Sequence, residues 1–170
     1  MSRYEELQQA YAAAHKTFFD QRHAAIAIIE ALRGEMERYF GSPPTALRLL
    51  PYGGSATQVR TCTAEEAVWL DKAGMWRFSV GLDLNIGHAG AHRESSKQTV
   101  VLEFLLQPDA GGFIGWLSGS TERFALRPGA AADEYAPLFA LAFQRVLASY
   151  RQPGQRFHES QADSTRVVGG

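Results

Sequence analysis

Cysteine is almost missing from this chain of 170 residues; Cys62 is the only one. A single thiol closes no intramolecular disulfide, so an apolar core must hold the fold, and a reducing compartment suits it. Long hydrophobic runs are missing too. Nothing approaches the ~18 apolar residues of a membrane helix, and residues 1–15, MSRYEELQQAYAAAH, lack the apolar centre of a secretory signal. Charge of one sign is also lacking. Lys and Arg number 17 against 18 Asp and Glu, a formal net charge of −1. That provides no global field to draw in nucleic acid or an anionic membrane. No internal repeat and no motif that fixes a chemistry is present. These absences predict a cytoplasmic protein with no cofactor, no metal, no nucleic-acid partner and no membrane partner.

What is present is a globular composition, 45% hydrophobic and 21% charged, in a length that suits one domain with a sizeable core. The strongest signal is residues 75–86, MWRFSVGLDLNI. Every even position is apolar (Trp76, Phe78, Val80, Leu82, Leu84, Ile86), while the odd ones are mostly polar or Gly. Side chains on a strand alternate between faces, so this reads as a long, half-buried strand.

Residues 3–40 contain no Pro and only Gly34. Tyr4, Leu7, Tyr11, Ala14 and Phe18 recur at helical spacing; the stripe then slips and resumes as Ala25, Ile29, Leu32 and Met36. Ser2 with Glu5 forms a capping box, and Gly41 before Pro43-Pro44 stops the helix. An unbroken helix of this length spans ~55 Å, more than the ~40 Å diameter of a domain this size. Two outcomes are open: a break near residues 20–22 into a helix pair, or a projecting first half whose apolar stripe needs a partner.

Beyond residue 45 the period becomes two. Short strands are expected at 46–50, 57–61 (an edge) and 67–71, then the long strand, a loop at 87–97, a second long strand at 98–107, and a hairpin of 113–117 with 121–126. A last helix, capped by Asp133 and carrying Pro137 early, runs to about Tyr150. The predicted fold is α+β: a long N-terminal helix or helix pair, an antiparallel meander of five to seven strands, and a C-terminal helix on one sheet face. Residues 1–151 form the domain, and 152–170 read as a disordered polar tail.

Three function classes follow. The first is a non-catalytic binding or adaptor protein that self-associates, or takes a protein partner, through Leu7, Tyr11, Ala14 and Phe18. The second is a small-ligand-binding domain that captures a small anion with the polar sheet face (Arg77, Asp83, Asn85) and the loop residues His88, His92, Arg93 and Lys97. His88 and His92 have a metal-like spacing, but Gly and Ala around them make a loop, in which that spacing loses its force. The third is a small hydrolase using Asp83 and Glu103 as an acid–base pair with His92. Gly81 in mid-strand marks a bend or a close approach.

Overall fold

The computed structural model describes residues 2–52, 61–86, 96–151 and 164–168. In chain order the elements are α1 (Arg3–Phe40), β1 (Leu47–Leu50), α2 (Ala64–Ala67), β2 (Trp69–Leu70), β3 (Trp76–Ile86), β4 (Ser96–Asp109), β5 (Gly112–Leu117), β6 (Phe124–Leu126), α3 (Ala132–Arg151) and β7 (Ser164–Val168). This is the α+β arrangement that the sequence predicts.

The sheet is built on β3 and β4, which pair antiparallel from Trp76↔Leu106 to Ile86↔Ser96. Each outer edge of this pair is shared by two short strands set end to end. β1 lies along Ser79 to Leu82 of β3 and β2 along Trp76 and Arg77. On the other side, β5 follows Phe104 to Asp109 of β4 and carries β6. β7 runs parallel to β4 along Gln98 to Leu102. That last pairing corrects the sequence reading: residues 164–168 belong to the sheet rather than to a disordered tail, and 152–163 lie outside the described residues. Thr165, Val167 and Val168 are strand formers, but the polar stretch before them masks so short a signal.

The even face of β3 is the core. Trp76, Phe78 and Val80 are buried with Val100, Leu102, Phe104 and Leu106 of β4, and Phe78 stacks on Phe104 at 5.0 Å between centroids. α1 covers this face with Ala25, Ile28, Ile29, Leu32 and Met36. α3 covers it with Tyr135, Leu138, Phe139, Ala142 and Val146, and the helices meet at Tyr39–Phe139 and Phe40–Phe143. Tyr150 Oη donates to Gln98 Oε1 at 2.8 Å, tying the end of α3 to β4. α3 begins at Ala132, so Asp133 is not its cap; with Glu134 it is a first-turn acid, favourable beside the positive end of the helix dipole.

α1 is one continuous helix of 38 residues, about 57 Å at ~1.5 Å per residue. The expected alternative of a break at 20–22 is therefore overturned. Both ends close as the sequence predicts. Glu5 N–H donates to Ser2 Oγ at 3.2 Å and Ser2 N–H to Glu5 Oε2 at 2.6 Å. At the other end Gly41, at φ 58°, lets its own N–H reach Arg38 O and the Ser42 N–H reach Glu37 O. The expected strand at 67–71 shrinks to β2, and the expected edge strand at 57–61 falls outside the described residues apart from Thr61, which is in no strand. α2 forms where Thr63 caps it and Glu66 returns the bond.

Leu32 is 1% exposed at the centre of the helix–sheet contact. Leu32→Ala should lower the unfolding free energy by ~2–5 kcal/mol in a chemical denaturation series, the range for a buried leucine that leaves a cavity.

Candidate functional site

Two regions carry the sequence-predicted residues: the N-terminal half of α1 and the odd face of the sheet. In the first, every residue from 3 to 20 is exposed, so this half is an arm, of which residues 3–17, ahead of the Phe18–Trp76 contact, span ~22 Å. It stays helical for local reasons. The capping box starts it, residues 7–15 (LQQAYAAAH) are rich in Ala and long polar side chains, and Lys16 Nζ lies 2.6 Å from Asp20 Oδ2 one turn on. Tyr11, His15 and Phe19 form a ladder with ring centroids 5.8 and 4.6 Å apart. Because the packed half of α1 supplies the nucleus, the arm needs only propagation.

Leu7, Tyr11, Ala14 and Phe18 lie in one row on this arm, with Tyr4 ahead of them. Tyr4 and Leu7 are 69% exposed and Tyr11 is 72% exposed. Phe18 marks the root of the arm: it is 37% exposed, and its ring lies 5.3 Å from that of Trp76. Beyond it Arg22 Nη2 donates to Glu65 O at 3.0 Å, anchoring the helix to α2. The spacing of Tyr4, Leu7, Tyr11, Ala14 and Phe18 is a strict seven-residue repeat. With Gln21 as its one polar member, the repeat continues through Ala25, Ile28 and Leu32, all at most 1% exposed against the sheet. The apparent slip comes from counting Ile29 and not Ile28; both are buried. One seam therefore runs the length of the helix, covered in the body and bare on the arm.

The second region is the odd face of the sheet. It does not collect its charges into one site. Arg77 is held from both sides, its Nε 2.7 Å from Asp71 Oδ2 and its Nη1 3.2 Å from Glu103 Oε1, and its guanidinium lies over Trp69 at 5.5 Å. The Met75 N–H, with the Arg77 side chain and the Ala73 N–H, holds the Asp71 carboxyl below the usual carboxylate range against the opposing effect of desolvation. Asp71 thus closes the β2–β3 turn. Asp83 belongs to a separate cluster. It is 7% exposed, accepts from Thr99 Oγ1 at 2.6 Å, and lies 3.4 Å from Arg48 Nε. Gly81 is a close approach: a Cβ there would stand 3.2 Å from Thr99 Cγ2 and 3.3 Å from a Leu50 methyl. Glu103 pairs with Ser79 and Asp83 with Thr99, four residues apart along the strands, or ~13 Å. These two carboxylates do not meet as an acid–base pair.

Asn85 is exposed near the end of β3 opposite Lys97, whose backbone is in β4. His88, His92 and Arg93 lie outside the described residues. The odd face is also less open than its pattern suggests, since Leu50, Val101, Leu105 and Trp116 on it are all under 9% exposed. Among the described residues no cluster of three His, Cys, Asp or Glu could hold a metal ion, and no helix is long and apolar enough to cross a membrane.

Sequence reasoning missed a cavity of about 530 Å³ between α1, β1 and the start of α2. Glu30, Arg33, Thr45, Arg48, Thr61 and Cys62 line it. These residues come from three separate stretches with no shared pattern, so only the fold brings them together. Comparisons with protein-family profiles, with curated proteins and with solved structures find no match to this chain.

Asp83→Ala should lower stability by ~3–5 kcal/mol, the usual cost of stranding one member of a buried ion pair, and Arg48→Met in the same chain should restore a measurable part of it in urea melts. Asp71 has a lowered pKa in the folded state, so its contribution is present above the ordinary carboxylate pKa and is lost as pH falls through the folded value. Acid titration of Asp71→Asn, followed by Trp fluorescence, should lack that component of the wild-type transition.

Proposed function

We propose that this protein is a non-catalytic binding or adaptor protein that assembles through the α1 arm, with a second copy or with a helical protein partner. The observation that carries this reading is the continuity of the seam. The repeat that packs α1 on its own sheet extends, in register and with larger side chains, over Tyr4, Leu7, Tyr11 and Ala14, which nothing in the described chain covers. Fully burying a side chain of this kind contributes ~1.5–3 kcal/mol. Covering Tyr4, Leu7 and Tyr11 on each of two apolar partners therefore offsets an association cost of ~4–15 kcal/mol. The middle of the arm, residues 7–15, carries no Asp, Glu, Lys or Arg, which suits an interface core, where charge is depleted.

A second reading rests on the cavity beside β1. Its volume is within the ~300–1,000 Å³ of small-molecule sites, and Arg33, paired with Glu37, and Arg48, paired with Asp83, stand on its wall. A thermal upshift with small carboxylates or phosphates, abolished by Arg33→Ala, is the result that favours it.

Light scattering tests the leading reading on the full chain, on Leu7→Asp/Tyr11→Asp, and on a chain lacking residues 1–16, in which Thr17 and Asp20 are placed to cap the shortened helix. Both altered chains should stay folded by circular dichroism and lose a subunit or a co-purifying partner. A truncated chain that cannot fold would make the arm part of the core and overturn the proposal.

A further inference from the structure

We infer that the occupant of the bare seam is a second copy of this chain, with the two arms packed antiparallel about a twofold axis. The inference rests on the reading of the arm as an assembly element and goes beyond it by naming the partner, the direction and the register.

Direction follows from where the body sits. The sheet packs on the same side of α1 that carries the seam, at Ala25, Ile28 and Leu32. Two arms packed in parallel, seam to seam, would bring both sheets between the helices at the same height, where they would overlap. Antiparallel arms place the bodies at opposite ends. Antiparallel packing also opposes the two helix dipoles.

Register follows from the side chains. In an antiparallel pair the two kinds of seam position face each other, which sets Leu7 against Phe18, Tyr11 against Ala14 and Tyr4 against Gln21 of the second copy. Each large ring then meets a smaller or flexible side chain. A parallel pair would stack Tyr11 on Tyr11 and leave Ala14 facing Ala14 across a gap. The flanks of the seam add no repulsion, being Gln8 and His15 on one side and Ala10 and Thr17 on the other.

The length of the arm fits this register. The partner's helix start comes level with Gln21 and Ala24, where the body of the first copy begins. A groove of about 280 Å³ lies there, lined among others by Asp20, Gln21, Ala24, Pro108, Phe113 and Pro128. Tyr4 of the second copy reaches it. The seam also has enough area. Tyr4 and Tyr11 at about 70% exposure, Leu7 at 69% and Phe18 at 37% present roughly 450 Å² of side chain per copy at ~150–250 Å² per aromatic. The pair then buries ~900 Å² before the flanking Gln8, Ala10, His15 and Thr17 are counted, close to the ~1,000 Å² of a specific interface.

The test uses the full chain in a Cys62→Ser background. Leu7→Cys and Phe18→Cys are made singly, carried on different tags, and oxidised alone and mixed. In the antiparallel register, residues 7 and 18 of two copies face each other, whereas identical residues stand ~16 Å apart along the axis, beyond the ~7 Å Cα limit of a disulfide. The mixture should give covalent heterodimer at ~10-fold or more above either variant alone. Covalent homodimer from Leu7→Cys alone or Phe18→Cys alone means parallel arms and overturns the inference. A wild-type chain of monomer mass, with no covalent dimer in the mixture, also overturns it. In that case the arm remains an assembly element for a different protein, a reading that fails separately if the chain lacking residues 1–16 cannot fold.

Discussion

The mismatch between the length of one helix and the length of the sheet beneath it governs this structure. The paired part of β3 and β4, Trp76↔Leu106 to Ile86↔Ser96, is ~36 Å long at ~3.3 Å per residue. The packed half of α1, residues 21–40, is ~30 Å long, and the β3–β4 pairing ends at Trp76, whose ring lies 5.3 Å from that of Phe18. Nothing in residues 3–20 tells the helix to stop, since Pro and Gly are both absent there. The backbone therefore continues past the last strand and takes its apolar seam with it.

The rest of the molecule keeps that seam aligned. Arg22 ties α1 to α2, and the Schellman closure at Gly41 fixes the far end. α3 crosses the remaining core face and meets α1 through aromatic pairs. On the other face the charges serve the sheet itself. Arg77 joins β2, β3 and β4 through Asp71 and Glu103, while Asp83 joins β3 to β1 through Arg48 and to β4 through Thr99. A charge held on both sides at such distances is poorly placed to reach a ligand, and this separates the odd face from the pocket its sequence pattern suggested.

How much of this is legible in the sequence depends on whether the signal is local. The bounds of β3 to within a residue, the capping box at Ser2 and Glu5 and the stop at Gly41 are short-range patterns with one physical meaning each. The continuity of α1 was ambiguous because Gln21 interrupts the stripe where the helix leaves the body. There a polar side chain is at home, so the interruption marks an exit and not a break. Register was hidden altogether. That Asp83 would be claimed by Arg48 and Thr99, or that Glu103 would fall four residues away from it, depends on how β1 and β4 align with β3, which no single segment encodes. β7 was hidden for a similar reason: Thr165, Val167 and Val168 are strand formers, but they stand alone after a polar stretch and nothing local gives them a pairing partner. The row Leu7, Tyr11, Ala14 and Phe18 was fully visible; what only the fold shows is that Phe18 roots it on Trp76 while nothing in the described chain covers the rest.

The helical state of the arm before any partner arrives bears on what kind of partner it fits. A segment that folds only on binding loses conformational entropy at that moment, roughly 1–2 kcal/mol per backbone residue fixed. Here the order is set by folding of the body, through a helix nucleated on the sheet and stabilised locally by its cap, the Lys16–Asp20 pair and the Tyr11–His15–Phe19 ladder. The proposed binding surface is thus preorganised, which lowers the cost of association. It is also directional, since the body fixes both the axis of the arm and the side on which its seam faces. A surface so constrained selects a rigid counterpart with the same period and a complementary end. A second α1, reversed, has that period, that length and a groove where the first arm ends.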